Sequence, residues 1–162
     1  MRRSTTSTVA GLRRAVSEAV EAALSRDAGR FALAAERLSL QDQQRLALTQ
    51  AWVLRILLEQ LHPDGLSSAD AQDLLRRCLL SAATWWPQAE ASVLVLVLTG
   101  TLGLADPDSD PSGASVAVGP AALSQGAALL TADLLSAAGS PLTGYLDAAF
   151  AELERAETIE LP

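Results

Sequence analysis

The sequence predicts an all-α protein, folded as a single-domain bundle or orthogonal array of six to seven helices. The chain contains 30 Leu and 31 Ala, both strong helix formers, and only 4% of its residues are aromatic. Its apolar residues recur mainly at three- and four-residue spacing, the period of a helix with one buried face. With 162 residues, we expect one domain over 1–162, large enough to bury a core without disulfides or metal.

Three helices are predicted in the first part of the chain. A stripe of Val, Leu and Ala predicts a helix from about Thr8 to Ser25, after a frayed segment over residues 1–7. Asp27 is placed to cap a short second helix. Ser39 is placed to cap a long third helix from Leu40 to Leu61, which is apolar on nearly all sides around residues 51–58 and should be buried.

A turn over residues 62–65 ends the third helix, because Pro and Gly stop a helix and allow a sharp reversal. Ser67 and Asp70 have the spacing of a capping box and predict a fourth helix that runs to about Trp85.

The uncharged run Ala91–Ala105 allows three interpretations: a membrane span, a buried strand or a buried helix. A span needs about 20 apolar residues, more than this run offers. Alternating Val and Leu over 93–98 favour a strand, but both faces would be apolar and only Ser115–Val118 could pair with it. Proline at a first helical position and an acid in the first turn favour a buried helix from Pro87 to Leu102, with Glu90 near its start.

The last third begins with an acidic, flexible loop over residues 104–119. Pro120 can open the next helix, which ends at Gly139, and Pro141 can open the last one. The acidic tail over residues 155–162 is expected to be frayed.

The loop aspartates Asp106, Asp108 and Asp110 have the alternate spacing of a calcium-binding loop. The rest of the pattern fails, because Pro111 stands where a Gly is required and Ala117 where a bidentate Glu belongs. We therefore expect an acidic solvated turn, no metal site and no cofactor.

Catalytic motifs are weak. Cys78 and His62 could form a nucleophile and base, but Cys78 lies on an apolar helical face, where a free thiol behaves as a small hydrophobe. Residues 99–103 lack the Lys that a phosphate-binding loop needs. An enzyme would require acids such as Asp133 and Asp147 to converge in a cleft, and we expect no catalytic residue.

Two pairs of residues are candidates for an interface. Neighbouring residues on a helix point about 100° apart, so we expect one of Trp85 and Trp86 to face inward and the other to lie near the surface. The alternative is that the pair fills a corner between helices. Arg13 and Arg14 lie in a basic first segment that could contact an acidic partner, or simply form a solvated helix face.

Charge and composition exclude several classes of protein. Residues 61–162 carry three Arg and thirteen acids, which argues against nucleic-acid binding. One cysteine and the lack of a secretory signal favour a cytoplasmic protein, without a membrane span. The absence of Lys and Asn, whose codons are AT-rich, indicates a host with a GC-rich genome such as a bacterium.

The surplus of apolar residues indicates the function class. Two predicted helices look apolar all round, and a surplus of this kind goes to a subunit interface or to a ligand cavity. We therefore expect a non-enzymatic helical protein that mediates protein–protein interaction or assembly, as a homo-oligomer or with a protein partner. The alternative is a binding module for a small apolar ligand in the bundle core.

Overall fold

The computed structural model describes residues 2–103 and 118–160, and within them the chain forms seven α-helices and no strand. The all-α class is therefore confirmed. The helices are α1 (Arg2–Leu24), α2 (Ala28–Ser39), α3 (Gln43–Leu61), α4 (Ser68–Ala83), α5 (Ala91–Thr101), α6 (Pro120–Ala138) and α7 (Leu142–Glu160).

Helix α6 is the centre of the fold. It contacts α1, α2, α3, α4 and α5, and ten of its 19 residues are buried. By length and composition it could cross a membrane, but more than half of it is buried against the other helices, as in the core helix of a folded domain. The sequence predicted burial for residues 51–58 and for the helix from Pro87 to Leu102, and did not predict a central α6. The Ala-rich α6 is the better centre because small side chains let several helices approach it.

The uncharged run is a helix, as predicted, but α5 is shorter and less buried than expected. Pro87 lies in a turn rather than at a first helical position, and Glu90 is the N-cap, without a side-chain capping bond. One face of α5 packs inward, while Val95 and Leu96 are 42% and 43% exposed. The expectation of a fully buried helix was wrong, because α5 packs on α3, α4 and α6 from one side only.

Two of the three predicted caps are confirmed. Asp27 accepts a hydrogen bond from the Arg30 amide, and Ser67 and Asp70 form the reciprocal capping box. The third was wrong: Asp42, not Ser39, caps α3, and its carboxylate accepts from two amides of the first turn at 3.1 Å. Ser39 belongs to the last turn of α2, where its hydroxyl donates to the carbonyl of Glu36.

The chain ends differ from the prediction. Helix α1 begins at Arg2 rather than near Thr8, and α7 continues to Glu160, so residues 2–7 and 155–160 belong to these helices. Of the predicted loop over 104–119, only residues 118 and 119 belong to the described part of the chain.

The turn between α1 and α2 is held by backbone hydrogen bonds around Arg26. The amide of Arg26 donates to the carbonyl of Ala23, and that of Asp27 to the carbonyl of Ala22, the two bonds of a Schellman motif. Arg26 takes the left-handed position with φ of 54°, where a glycine is usual. The predicted C-cap Gly139 does have that conformation, with φ of 68°.

Candidate functional site

Trp85 and Trp86 both pack against the buried ring of Phe31. Both are half-buried, and their centroids lie 5.3 Å and 4.7 Å from the centroid of Phe31 in edge-on geometry. The expectation that one faces inward and the other lies near the surface was wrong, because α4 ends at Ala83 and the helical offset no longer applies beyond it. The pair fills the corner between α2 and the α4–α5 turn, which was the alternative interpretation.

Arg13 and Arg14 are engaged within the chain. Arg13 donates to Asp147 at 2.7 Å and lies over the ring of Phe150. Arg14 donates to Glu18 at 3.2 Å. Glu18 also accepts from an arginine of α2, and that hydrogen bond is the main reason that the pKa of Glu18 is lowered. The exposed charge available to an acidic partner is therefore smaller than the sequence suggested.

The two aspartates that could have formed a catalytic cleft lie in separate ion pairs. Asp133 accepts from Nε and Nη2 of Arg77, with a shortest distance of 2.8 Å, and its side chain is 12% exposed. Asp147 is occupied by Arg13. Because each carboxylate has its own arginine, the pair does not resemble an acid and a base that share a substrate.

Cys78 is a buried thiol. Burial raises the pKa of Cys78 to about 12, and the neighbouring Asp133 carboxylate adds to the effect. A cavity of about 280 Å³ reaches Cys78, but His62 is not among the residues lining it. His62 instead lies with Nδ1 3.8 Å from a carboxylate oxygen of Asp70. A thiol with so high a pKa is unreactive at neutral pH.

The proposed calcium ligands Asp106, Asp108 and Asp110 lie outside the described residues. Within the described part of the chain, no group of three His, Cys, Asp or Glu side chains is placed to hold a metal ion.

An apolar groove, which the sequence did not reveal, lies between α3, α5 and α6. Its volume is about 350 Å³, and none of the residues that line it is charged. Apolar residues of all three helices line it, among them Leu46, Leu54, Leu96, Val97, Leu123 and Ala127.

Exposed apolar side chains continue this groove onto the surface. Leu48 and Leu96 both line it and are 45% and 43% exposed, and Val95 on the same helix is 42% exposed. Helix α5 contains no charged residue at all. A surface helix normally turns a polar face to water, so the outward face of α5 is unusual.

Leu48 also borders a second groove, between α1, α3 and α7, with a volume of about 360 Å³. This one is partly charged, since Arg45 and Glu157 form an ion pair of 2.8 Å there. Leu48 therefore lies between the two grooves, one uncharged and the other partly charged.

Three polar side chains line the uncharged groove and are themselves buried. Gln50 is only 4% exposed, and its Nε2 donates to the carbonyl of Ser124 at 3.0 Å. The hydroxyls of Thr101 and Ser124 each donate to a carbonyl of their own helix, at 2.8 Å and 3.0 Å. The bond from Gln50 joins α3 to α6, whereas the hydroxyls of Thr101 and Ser124 are engaged within their own helices.

The groove could not be read from local sequence, because it depends on how three separate helices pack. One signal was present: α5 lacks the polar stripe that a solvent-facing helix carries. Comparison with protein-family models, with curated proteins and with solved structures finds no match to this chain. Its function has to be inferred from the geometry.

Proposed function

We propose that this chain is a non-enzymatic assembly protein that self-associates through the outward face of α5 and the uncharged groove beside it. One observation carries the proposal: Leu96 is 43% exposed on a helix without a charged residue, at the edge of an apolar groove. Interface cores are depleted in charge and rich in apolar side chains, as this surface is.

The distribution of charge favours this face as the contact between two copies. The chain carries a net charge of −7, so two copies repel each other wherever charged surfaces meet. The face formed by α5 and the groove is uncharged and can be buried with the least repulsion and the largest gain from apolar contact.

The shape of the surface supports the same partner. In a two-fold dimer each patch contacts its own copy, so a single surface must provide both projecting and receiving features. Leu48 and Leu96 project beside the groove, and the groove can receive an apolar side chain. Both features lie on one face, as self-association requires.

The reactive groups support the non-enzymatic part of the proposal. Asp133 and Asp147 are each paired with an arginine, and Cys78 holds its proton at neutral pH. These were the groups from which a catalytic site could have been built.

Native mass spectrometry and light scattering of the full chain over a range of concentrations test the proposal. The wild type should give an integer multiple of the 16.9 kDa chain mass. Leu96→Arg should weaken association roughly 100-fold or more, since each copy loses a buried leucine and gains a like charge at the contact. Leu33→Arg is the matched control, because Leu33 is 61% exposed on α2, away from the groove.

A monomeric wild type at high concentration would overturn self-association. Equal association of the two variants would show that copies meet through another face. Circular dichroism of both variants confirms that they are folded.

A further inference from the structure

We propose that the uncharged groove is also a binding site for a small, neutral, mostly apolar molecule with one N–H or O–H donor, which Gln50 accepts. This inference goes beyond self-association and does not depend on it. A side chain of a second copy would compete with the ligand for the groove, so binding is measured at a protein concentration at which the chain is monomeric. It names the chemistry of the ligand and the side chain that recognises it.

The size and charge of the groove define most of the ligand. Small-molecule sites usually have volumes of roughly 300–1,000 Å³, and the groove, at about 350 Å³, falls at the small end. A charged ligand would lose its hydration without meeting an opposite charge, because no lining residue is charged. The site therefore fits a compact and neutral molecule.

The polar atoms of the groove define the rest. The hydroxyls of Thr101 and Ser124 already donate to backbone carbonyls, and Nε2 of Gln50 donates to Ser124. Among the described residues, Oε1 of Gln50 accepts no hydrogen bond, while Nε2 of the same side chain is engaged. A side chain that is 4% exposed thus offers an open acceptor, and a ligand donor would complete its bonding.

A comparison of indole with 1-methylindole measures the contribution of this hydrogen bond to binding. The two molecules have nearly the same shape, but only indole has an N–H donor. We expect the full-length protein, titrated by NMR, to bind indole roughly three- to tenfold more tightly than 1-methylindole. The extra methyl group adds apolar area, so area alone would favour the opposite order.

Two variants locate the site. Gln50→Met keeps the length of the side chain but removes the oxygen, and should bring the affinity ratio to one or below. Gly100→Leu should weaken both ligands at least tenfold by filling the mouth of the groove. A Cβ at Gly100 meets nothing within 4 Å, so the fold is kept. Gly144→Leu on α7 is the matched control, because its Cβ is equally free and it lies outside the groove.

Equal affinity of the wild type for the two indoles would overturn the role of Gln50. Indole binding that survives Gly100→Leu would place the ligand elsewhere, and no binding of either compound at millimolar concentration would overturn the site. If Gln50→Met does not fold, the two indole affinities of the wild type still test the hydrogen bond, and the two glycine variants still test the location of the site. Self-association is read from the mass without ligand, so either proposal can fail alone.

Discussion

Gly126 of α6 lies so close to Val93 of α5 that no side chain fits between them. A Cβ on Gly126 would stand 2.9 Å from Cγ1 of Val93 and 3.4 Å from Cγ2 of Val97. Valine side chains are stiff at χ1 and cannot easily move aside. The glycine therefore sets how closely α5 approaches the central helix, and with it one wall of the uncharged groove.

Gly126→Ala should be less stable than Gly100→Ala by about 1–3 kcal/mol, the usual cost of overpacking. At Gly100 the added methyl group meets nothing within 4 Å, so alanine should raise the free energy of unfolding by about 0.5–1 kcal/mol through helix propensity. Urea unfolding of both variants measures the difference. Equal stabilities would mean that α5 moves freely on α6.

Local patterns predicted most of the helices but not the centre of the fold. The capping box at Ser67 and the glycine stop at Gly139 involve neighbouring residues only, and both are confirmed. The central position of α6 depends on packing, and its many small residues gave no strong apolar stripe. The groove likewise combines Leu46, Leu96 and Leu123 from three helices, which no local window contains.

Two variants at the N-terminus of α3 distinguish the observed cap, Asp42, from the predicted cap, Ser39. Asp42→Ala should lower the free energy of unfolding by about 1 kcal/mol, because two amides of the first turn lose their acceptor. Ser39→Ala should change it by less than about 0.5 kcal/mol, since Ser39 caps no amide there. Thermal and urea unfolding of both variants test the assignment, and a larger loss at Ser39 would reverse it.

Arg26 is an unfavourable residue for the left-handed turn after α1. Arg26→Gly should raise the free energy of unfolding by about 0.5–1 kcal/mol, because glycine adopts φ of 54° without the Cβ conflict. Arg26→Ala keeps the Cβ and should gain nothing. If the alanine variant is stabilised equally in urea unfolding, the gain comes from losing the guanidinium and not from the backbone.

Cys78 should make the fold sensitive to alkali. Its pKa is raised from about 9 to about 12 by burial, so between these values the folded chain keeps a proton that the unfolded chain has lost. Stability therefore falls as pH rises above about 9, by up to about 1.4 kcal/mol per pH unit. Cys78→Ala removes this contribution.

Urea unfolding of the wild type and of Cys78→Ala from pH 7 to 11 measures the effect. Their free energies of unfolding should differ by a constant amount up to about pH 8. Above that pH the wild type should lose stability faster than the variant. A difference that stays constant to pH 11 would mean that the thiol ionises in the folded protein, and that its surroundings are more accessible to water than its 3% exposure implies.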